Sequence, residues 1–271
     1  MTAGREKLAA VYLLRQKNDL ACFQDFVASY REMTEPLRHD LVILFKGFFD
    51  NDKAPCLKIL EDIDYVAIDL EDRGFDIGSY LEVARQTSYE RMLFLNSFSG
   101  FLAPGWLTKL NAAMDRDEST GVVGATGSYE PSGPTTPFPN YHIRTTGFLI
   151  SRQLLLDLDL WEMREKQDTS RFEAGPDNLT QQVLRRGLVP YVVDRDGVVY
   201  GKEDWPRSGT YRAGDQENLL IADNRTNAYL NADSEMRQWL SDLAWANDRP
   251  GPSPLKQRKL SRRLRRWFEF S

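Results

Sequence analysis

The chain has 271 residues, 41% hydrophobic and 28% charged, with a net charge of −5, the make-up of a globular protein with one generous core or two small ones. The acidic balance argues against nucleic acid as the main ligand, and two histidines, His39 and His142, are too few for a multi-histidine metal centre. No apolar run reaches the ~18 residues of a membrane span, and the N-terminal residues show no cleavage-site pattern, so the protein is expected in the cytoplasm.

In chain order, Leu8 to Leu14 is an apolar run of strand length. Asn18 or Asp19 can cap a helix running through Tyr30, because their side-chain oxygens accept from the free amides of a first turn. Leu41 to Phe45 is apolar throughout and reads as a strand buried on both faces, as a parallel sheet requires. Tyr65 to Leu70 is a third strand, Ile77 to Gln86 a helix with Tyr80, Leu81 and Ala84 on one face, and Arg91 to Leu95 a fourth strand. Strands separated by helices imply right-handed parallel crossovers. Further strands are expected at Gly121 to Ala125, Ile143 to Ile150 and Leu188 to Val193. Helices are expected at Arg152 to Leu160, between Phe172 and Gly187 with Pro176 in the first turn, and at Ser234 to Trp245 with Met236, Trp239, Leu240 and Leu243 inward. Pro131 to Asn140, with four prolines and a glycine, cannot form a regular element. Cys22 and Cys56 have no metal-type spacing and read as reduced packing residues.

Ligands of such sheets collect at the carboxyl ends of the strands, here Arg15-Gln16, Lys46-Gly47, Asp69 to Asp76 and Asn96-Ser97. Asp72-Arg73-Gly74-Phe75-Asp76-Ile77-Gly78 follows a strand and opens a helix. Glycine there lets backbone approach a ligand, and the helix N-terminus offers amides to an anion such as a diphosphate. Taken alone, the same residues could be a capping Asp76 and a turn-forming Gly74.

That turn, the Pro104-Gly105-Trp106-Leu107 helix start and Gly121-Val122-Val123-Gly124 together resemble the nucleotide-sugar half of GT-A glycosyltransferases, over roughly Leu8 to Gly187. Family 2 and the rhamnan-synthesis proteins are the most similar in pattern. The resemblance implies an α/β fold with a GT-A (Rossmann-like), mostly parallel central sheet flanked by helices in residues 1–248. A proline-rich linker and basic tail, residues 249–271, form a C-terminal extension. The implied activity is transfer of a hexosyl or deoxyhexosyl unit, with inversion, from a nucleotide-sugar donor to a saccharide or lipid-linked acceptor in surface polysaccharide synthesis. The other reading is a non-catalytic sugar- or nucleotide-binding module of a polysaccharide assembly complex. A nucleotidyltransferase is disfavoured, since no Gly-rich triphosphate loop with a following Lys lies near the first strand.

Where family-2 enzymes end the fourth strand with a metal-binding Asp-x-Asp, this chain has Asn96-Ser97-Phe98. A divalent ion beside a diphosphate wants carboxylate oxygens, so three possibilities stand. The phosphates are neutralised by Arg15, Lys46 or Arg73, with Arg144 able to serve likewise; or Mg or Mn is held by Asp69 or Glu71; or catalysis has been lost. The donor-side residues expected from the resemblance are Arg15, Lys46, Asp72, Arg73, Gly74, Asp76, Asn96, Ser97 and Arg144.

The family's catalytic carboxylate accepts the proton of the acceptor hydroxyl near a helix start, a place taken here by Phe172 to Gly187. Asp177 is the first choice and Glu173 the second, with helix capping the other role open to Asp177. His142, Trp205, Tyr211, Asp215 and Gln216 could line the acceptor side through aromatic faces and multiple hydrogen bonds. A self-contained loop over 200–227 and a structural histidine are the alternatives.

From Lys256 to Ser271, seven basic side chains against Glu269 give the tail +6, which leaves −11 on the rest of the chain. Leu260, Leu264, Trp267 and Phe268 recur at helical spacing, so Leu255 to Phe270 reads as an amphipathic helix suited to an anionic membrane surface. Docking on the acidic body of the same protein is the alternative.

Overall fold

The apolar runs of the N-terminal half become the centre of one large sheet in the computed structural model, which describes residues 7–49, 52–133, 135–246 and Pro254. The first half holds β1 (Leu8–Arg15), α1 (Leu20–Glu32), β2 (Asp40–Lys46), α2 (Ala54–Ile59), β3 (Val66–Leu70), α3 (Phe75–Gln86), β4 (Arg91–Leu95), β5 (Gly100–Phe101), α4 (Trp106–Met114) and β6 (Thr120–Gly124). The second half holds β7 (Gly127–Ser128), β8 (His142–Ile143), β9 (Gly147–Ser151), α5 (Arg152–Asp157), α6 (Lys166–Ala174), α7 (Leu179–Arg185), β10 (Val189–Val193), β11 (Val199–Tyr200), β12 (Ile221–Ala222), α8 (Asn224–Leu230) and α9 (Ser234–Trp245).

Eight strands form the sheet in the order β11-β10-β6-β9-β4-β1-β2-β3. Pairings among β4, β1, β2 and β3, and between β6 and β10, are parallel, while β9 runs antiparallel to both its neighbours and β11 to β10. This is the mostly parallel, helix-flanked α/β architecture implied by the glycosyltransferase resemblance, with β9 and β11 as its antiparallel members. The reversal places Gly147 opposite Leu95. Residues just before β9 therefore share an edge with the carboxyl ends of β1 to β4.

Side-chain alternation divides the core between the two faces of the sheet. Ala9, Val11 and Leu13 join Val42, Phe94 and Phe148 under α3, α5, α6 and α7. Ala10, Tyr12 and Leu14 pack with Phe23, Phe26 and Trp106 from α1 and α4. Tyr12 stacks on Phe26 at 3.8 Å between ring centroids, and Phe101 on Trp106 at 3.9 Å.

Several boundaries differ from the sequence-based expectation. The Ile143 to Ile150 strand breaks at 144–146, because the Arg144 amide bonds Thr126 O at 3.0 Å and β8 pairs with β7 instead. The helix expected to run to Leu160 stops at Asp157. The helix expected between Phe172 and Gly187 is two helices, α6 closed by Gly175 and α7 capped by Asn178, whose side chain accepts from Gln181 N. Pro176 and Asp177 consequently lie in the turn between helices, outside a first helical turn. In α9 the only fully buried residue is Ala244; Met236, Trp239, Leu240 and Leu243 are half-buried. The tail from Leu255 onward lies outside the described residues.

Candidate functional site

The β3–α3 turn is held in an unusual backbone conformation by a buried cation. Gly74, the residue before the helix, has φ 72°, and Phe75 follows at φ 51°, a region costly for a residue with a Cβ. The Lys46 ammonium, almost wholly buried at the end of β2, donates to Phe75 O and, at 2.9 Å, to Ser79 Oγ. Burial lowers the Lys46 pKa to about 8, an effect that Asp72 and Asp76 oppose. No side chain caps α3, so its first-turn amides face outward with the helix's partial positive charge.

Around this turn the expected phosphate-neutralising side chains already have partners. Arg15 grips Asp72 with Nε at 2.9 Å and Nη2 at 3.1 Å, and Lys17 reaches the same carboxylate at 2.7 Å. These bonds hold Asp72 down at about 2. Arg73 pairs with Glu71 at 3.2 Å. Beside the turn, a cavity of about 990 Å³ opens against the segment Leu160 to Arg164, with four arginines and five carboxylates in its walls. With the charges so balanced, a diphosphate here would depend on the turn's backbone amides as much as on the guanidinium groups. Arg15 and Arg73, expected as phosphate-neutralising cations, thus stand at this edge already paired with Asp72 and Glu71.

Asn96 and Ser97, expected on the donor side, close a turn on themselves. Asn96 Oδ1 accepts from Phe98 N at 2.9 Å and Ser99 Oγ at 3.0 Å. Ser97 is buried, donates to Leu13 O at 2.7 Å, and accepts the Tyr12 hydroxyl at its carbonyl at 2.8 Å. Those oxygens tie β4 to β1, so the Asp-x-Asp position offers no donor set for a hard divalent cation. Of the fallback ligands, Asp69 pairs with Lys53 at 2.5 Å and Glu71 with Arg73. Among the described residues no group of three His, Cys, Asp or Glu side chains could hold a metal ion. The described residues at this edge therefore do not fit Mg or Mn.

The two candidate bases separate sharply. Glu173, in the last turn of α6, is half-buried, and Thr145 Oγ1 donates to its Oε1 at 2.7 Å. Burial, and then the nearby Asp76 carboxylate, push Glu173 up to about 7, against the Thr145 bond, Arg144 and Lys166, which pull it down. Asp177 is instead a surface residue, ion-paired with Arg171 at 2.7 Å and Arg185 at 3.4 Å, which hold its carboxyl below the usual range. A carboxylate so stabilised is a poor proton acceptor. α6 and α3 bring Glu173 and Asp76 together, and Asp177 lies outside that pair.

Of the residues expected on the acceptor side, most are structural. Trp205 is fully buried against Gly127 and donates to Tyr200 O at 3.2 Å, which makes it a core residue and not an exposed sugar platform. His142 is buried with Nδ1 2.8 Å from Asn140 O, and burial lowers its pKa to about 4, so it stays neutral. Gln216, also buried, accepts from Arg212 N at 2.8 Å and donates to Thr226 O at 3.1 Å. Asp215 is exposed and pairs with Arg237 at 2.6 Å. Tyr211 is buried beneath two guanidinium groups, Arg144 at 4.3 Å and Arg212 at 4.9 Å from its ring. Arg144 pairs with the buried Asp223 at 2.8 Å, and Arg212 with Glu130 at 3.0 Å.

Thr145, Asp223 and Arg212 were not singled out by sequence reasoning. Asp223 had a signal: Asp-Asn-Arg-Thr before a helix is a capping pattern, and its side chain accepts from Arg225 N and Thr226 N. Thr145 had none, since it meets Glu173 only through the order of the sheet.

No protein-family model matches the sequence, and no curated protein matches it. Among solved structures the chain is similar to S. aureus TarS residues 1–349, with a TM-score of 0.43 and 13% identity over 60% of this chain and 53% of that one. A second TarS structure gives 0.43 and 14% over 60% of this chain and 32% of that one. CMP:2-keto-3-deoxy-manno-octonic acid synthetase complexed with CTP gives 0.45 and 12% over 68% and 88%. The chain thus spans about half of the first TarS structure. At these identities the likeness concerns the fold alone.

Proposed function

We propose that this chain is a nucleotide-sugar-dependent glycosyltransferase, acting with inversion on a saccharide or lipid-linked acceptor in the assembly of a surface polysaccharide or glycolipid. The observation that carries the reading is Glu173: a half-buried carboxylate raised to about 7 beside the carboxyl edge of the sheet, near the start of α3. A base poised near neutral pH suits removal of a proton from an alcohol as the bond to the anomeric carbon forms.

In this reading the acceptor hydroxyl gives its proton to Glu173 as its oxygen bonds the anomeric carbon. The bond from that carbon to the diphosphate oxygen breaks, and the nucleoside diphosphate leaves with the electron pair. The uncapped amides of α3 and the backbone of Gly74 would receive the departing charge. Arg15, Lys17 and Arg73 supply cations at the same edge once their carboxylates yield. The basic tail, residues 255–270, would bring the site to an anionic membrane face where a lipid-linked acceptor lies.

Incubation with UDP-, GDP-, CMP- and dTDP-sugars plus a mixed saccharide acceptor pool, with and without EDTA, tests the proposal. Release of nucleotide from at least one donor, unaffected by EDTA, is expected. Binding without any release would favour the non-catalytic module, a reading that gains from the self-closed turn at Asn96 to Ser99.

A further inference from the structure

Phe75 combines three features that a packing role does not explain. Its φ of 51° is costly for a residue with a Cβ, it is 37% exposed, and it joins the core on neither face of the sheet. Arg212 and Gln216 also have positive φ, but both are buried and the Arg212 amide bonds Gln216 Oε1, so their backbone serves an internal contact. At Phe75 the carbonyl is engaged, by the Lys46 ammonium and, at 2.7 Å, by Ser79 Oγ. The ring meets no other aromatic ring or cation among the described residues. A buried cation thus fixes the backbone of a residue whose ring stays outside.

That ring lines the cavity of about 990 Å³, a volume near the upper end of the range for small-molecule sites. The lining takes in both ends of α3, from Phe75 to Gln86, and the 12 residues of that helix rise about 18 Å. Another wall, Leu160 to Arg164, carries a second ring, Trp161. Trp161 is itself fixed, its Nε1 donating to Asp168 O at 3.2 Å and the Arg171 guanidinium lying 4.5 Å from its ring.

A ring held at a costly backbone angle and left bare in a cavity suits a ligand with a flat face of its own, since stacking gains most between two π-faces. The same end of the cavity offers a donor in Arg73 and acceptors in the carboxylates of Asp69, Glu71 and Asp72, which match the polar edge of a heterocycle. The length of the cavity favours a ligand of several linked units over a lone sugar ring. We infer that Phe75 is the stacking platform for the base of a nucleotide whose phosphates lie at the start of α3. The position of the phosphates rests on the glycosyltransferase reading; the stacking is tested without turnover.

The experiment is calorimetry of the full chain with UDP, GDP, CMP and dTDP, comparing wild type with Phe75→Leu and Phe75→Tyr. Leucine keeps a Cβ, and with it the backbone cost, but has no π-face; tyrosine keeps both. At least one nucleotide should bind the wild type, and Phe75→Leu should bind it about five- to a hundredfold more weakly, the scale of one base stacked on an aromatic ring. Phe75→Tyr should bind it within about twofold of wild type, and both variants should melt as wild type does, since the ring lies outside the core. Inorganic pyrophosphate, which has no base, should not distinguish Phe75→Leu from wild type. Equal nucleotide affinity in Phe75→Leu, a loss of pyrophosphate affinity by the same factor, or no nucleotide binding by the wild type would overturn the inference. Turnover of a sugar donor with nucleotide affinity unchanged in Phe75→Leu would sink it and leave the glycosyltransferase reading standing; binding that depends on Phe75 without turnover of any donor would do the reverse.

Discussion

Thr145 Oγ1 donates to Glu173 Oε1 across 2.7 Å, joining the residue two before β9 to the last turn of α6. The bond is possible because β9 is antiparallel: its start, and not its end, reaches the edge where β1 to β4 finish. A carboxylate carried on a helix is thereby locked to the sheet beside the α3 N-terminus, with one oxygen fixed and the other left to act.

Glu173→Gln keeps this geometry and removes the basicity. Turnover should fall by about a hundredfold or more, with donor affinity nearly unchanged. Asp177→Asn, at a surface carboxylate committed to Arg171 and Arg185, should change turnover less than about threefold. Steady-state kinetics on the two variants decide between the carboxylates; the opposite ranking would return the role to Asp177. In the wild type, kcat should rise with pH through about 7 as Glu173 loses its proton.

The same carboxyl gives a stability signature that needs no substrate. Its pKa is raised on folding from 4.5 to about 7, so between those values the folded state holds a proton that the unfolded state releases. Stability contributed by Glu173 therefore falls as pH rises across that window. Glu173→Gln should gain on wild type by on the order of 1–3 kcal/mol at pH 8 and by little at pH 4. Melting curves at the two pH values check this, and a constant difference would show that Glu173 titrates normally.

Asp223 is the charge that keeps Arg144 inside the protein. Its pKa is lowered despite burial, chiefly by Arg144 and then by bonds from Thr226 and Thr146. Asp223→Ala leaves a guanidinium buried over Tyr211 without its carboxylate and strips the cap from α8. The loss should be about 3–5 kcal/mol for the orphaned charge and roughly 1 more for the cap. Arg144→Met with Asp223→Asn should recover much of it, because both charges are then gone. Chemical denaturation of the single and double variants measures the difference; equal stability of Asp223→Ala and wild type would refute the pairing.

How much of this was readable beforehand follows from the range of each interaction. Strands such as Leu41 to Phe45 and the helix Ser234 to Trp245 are written in local apolar spacing, and the structure places α9 at those residues. The turn of Asp72 to Gly78 was legible because glycine before a helix is itself a local signal, and Gly74 does adopt φ 72°. Burial of Trp205 was not legible: an aromatic in a polar segment looks like a sugar platform until Gly127, 78 positions earlier, is seen to make room for it. The environments of Asp177 and Glu173 were hidden for the same reason. Nothing near either residue in sequence reveals that α6 faces Asp76 or that Arg171 and Arg185 close on Asp177.

Gly74 should matter to nucleotide affinity beyond its cost to the backbone. A Cβ at this φ would meet Gly78 Cα at 3.2 Å, so Gly74→Val strains the start of α3 by roughly 1–2 kcal/mol. Gly187→Ala is a matched control, with φ +74° and nothing within 4 Å of the added carbon. Calorimetry with UDP, GDP, CMP and dTDP should show weaker binding for Gly74→Val and wild-type binding for Gly187→Ala. Equal affinities in the two folded variants would move the phosphates away from this turn.

The basic tail offers a prediction that depends on charge alone. Residues 256–271 carry +6 and the remainder −11, so the tail has two possible anionic partners, a lipid surface or its own body. Among the described residues no helix is long and apolar enough to cross a membrane. Truncation after Pro252 should abolish flotation with vesicles containing phosphatidylserine, leave flotation with neutral vesicles unchanged, and leave the melting temperature within about 2 °C of the intact chain, the scale of a loss of about 1 kcal/mol or less. Raising ionic strength from 0.05 to 0.5 M should release the intact protein, given that screening shortens from more than ~10 Å to a few ångströms over that range. A drop in melting temperature on truncation, with no vesicle binding by the intact chain, would place the tail on the acidic body instead.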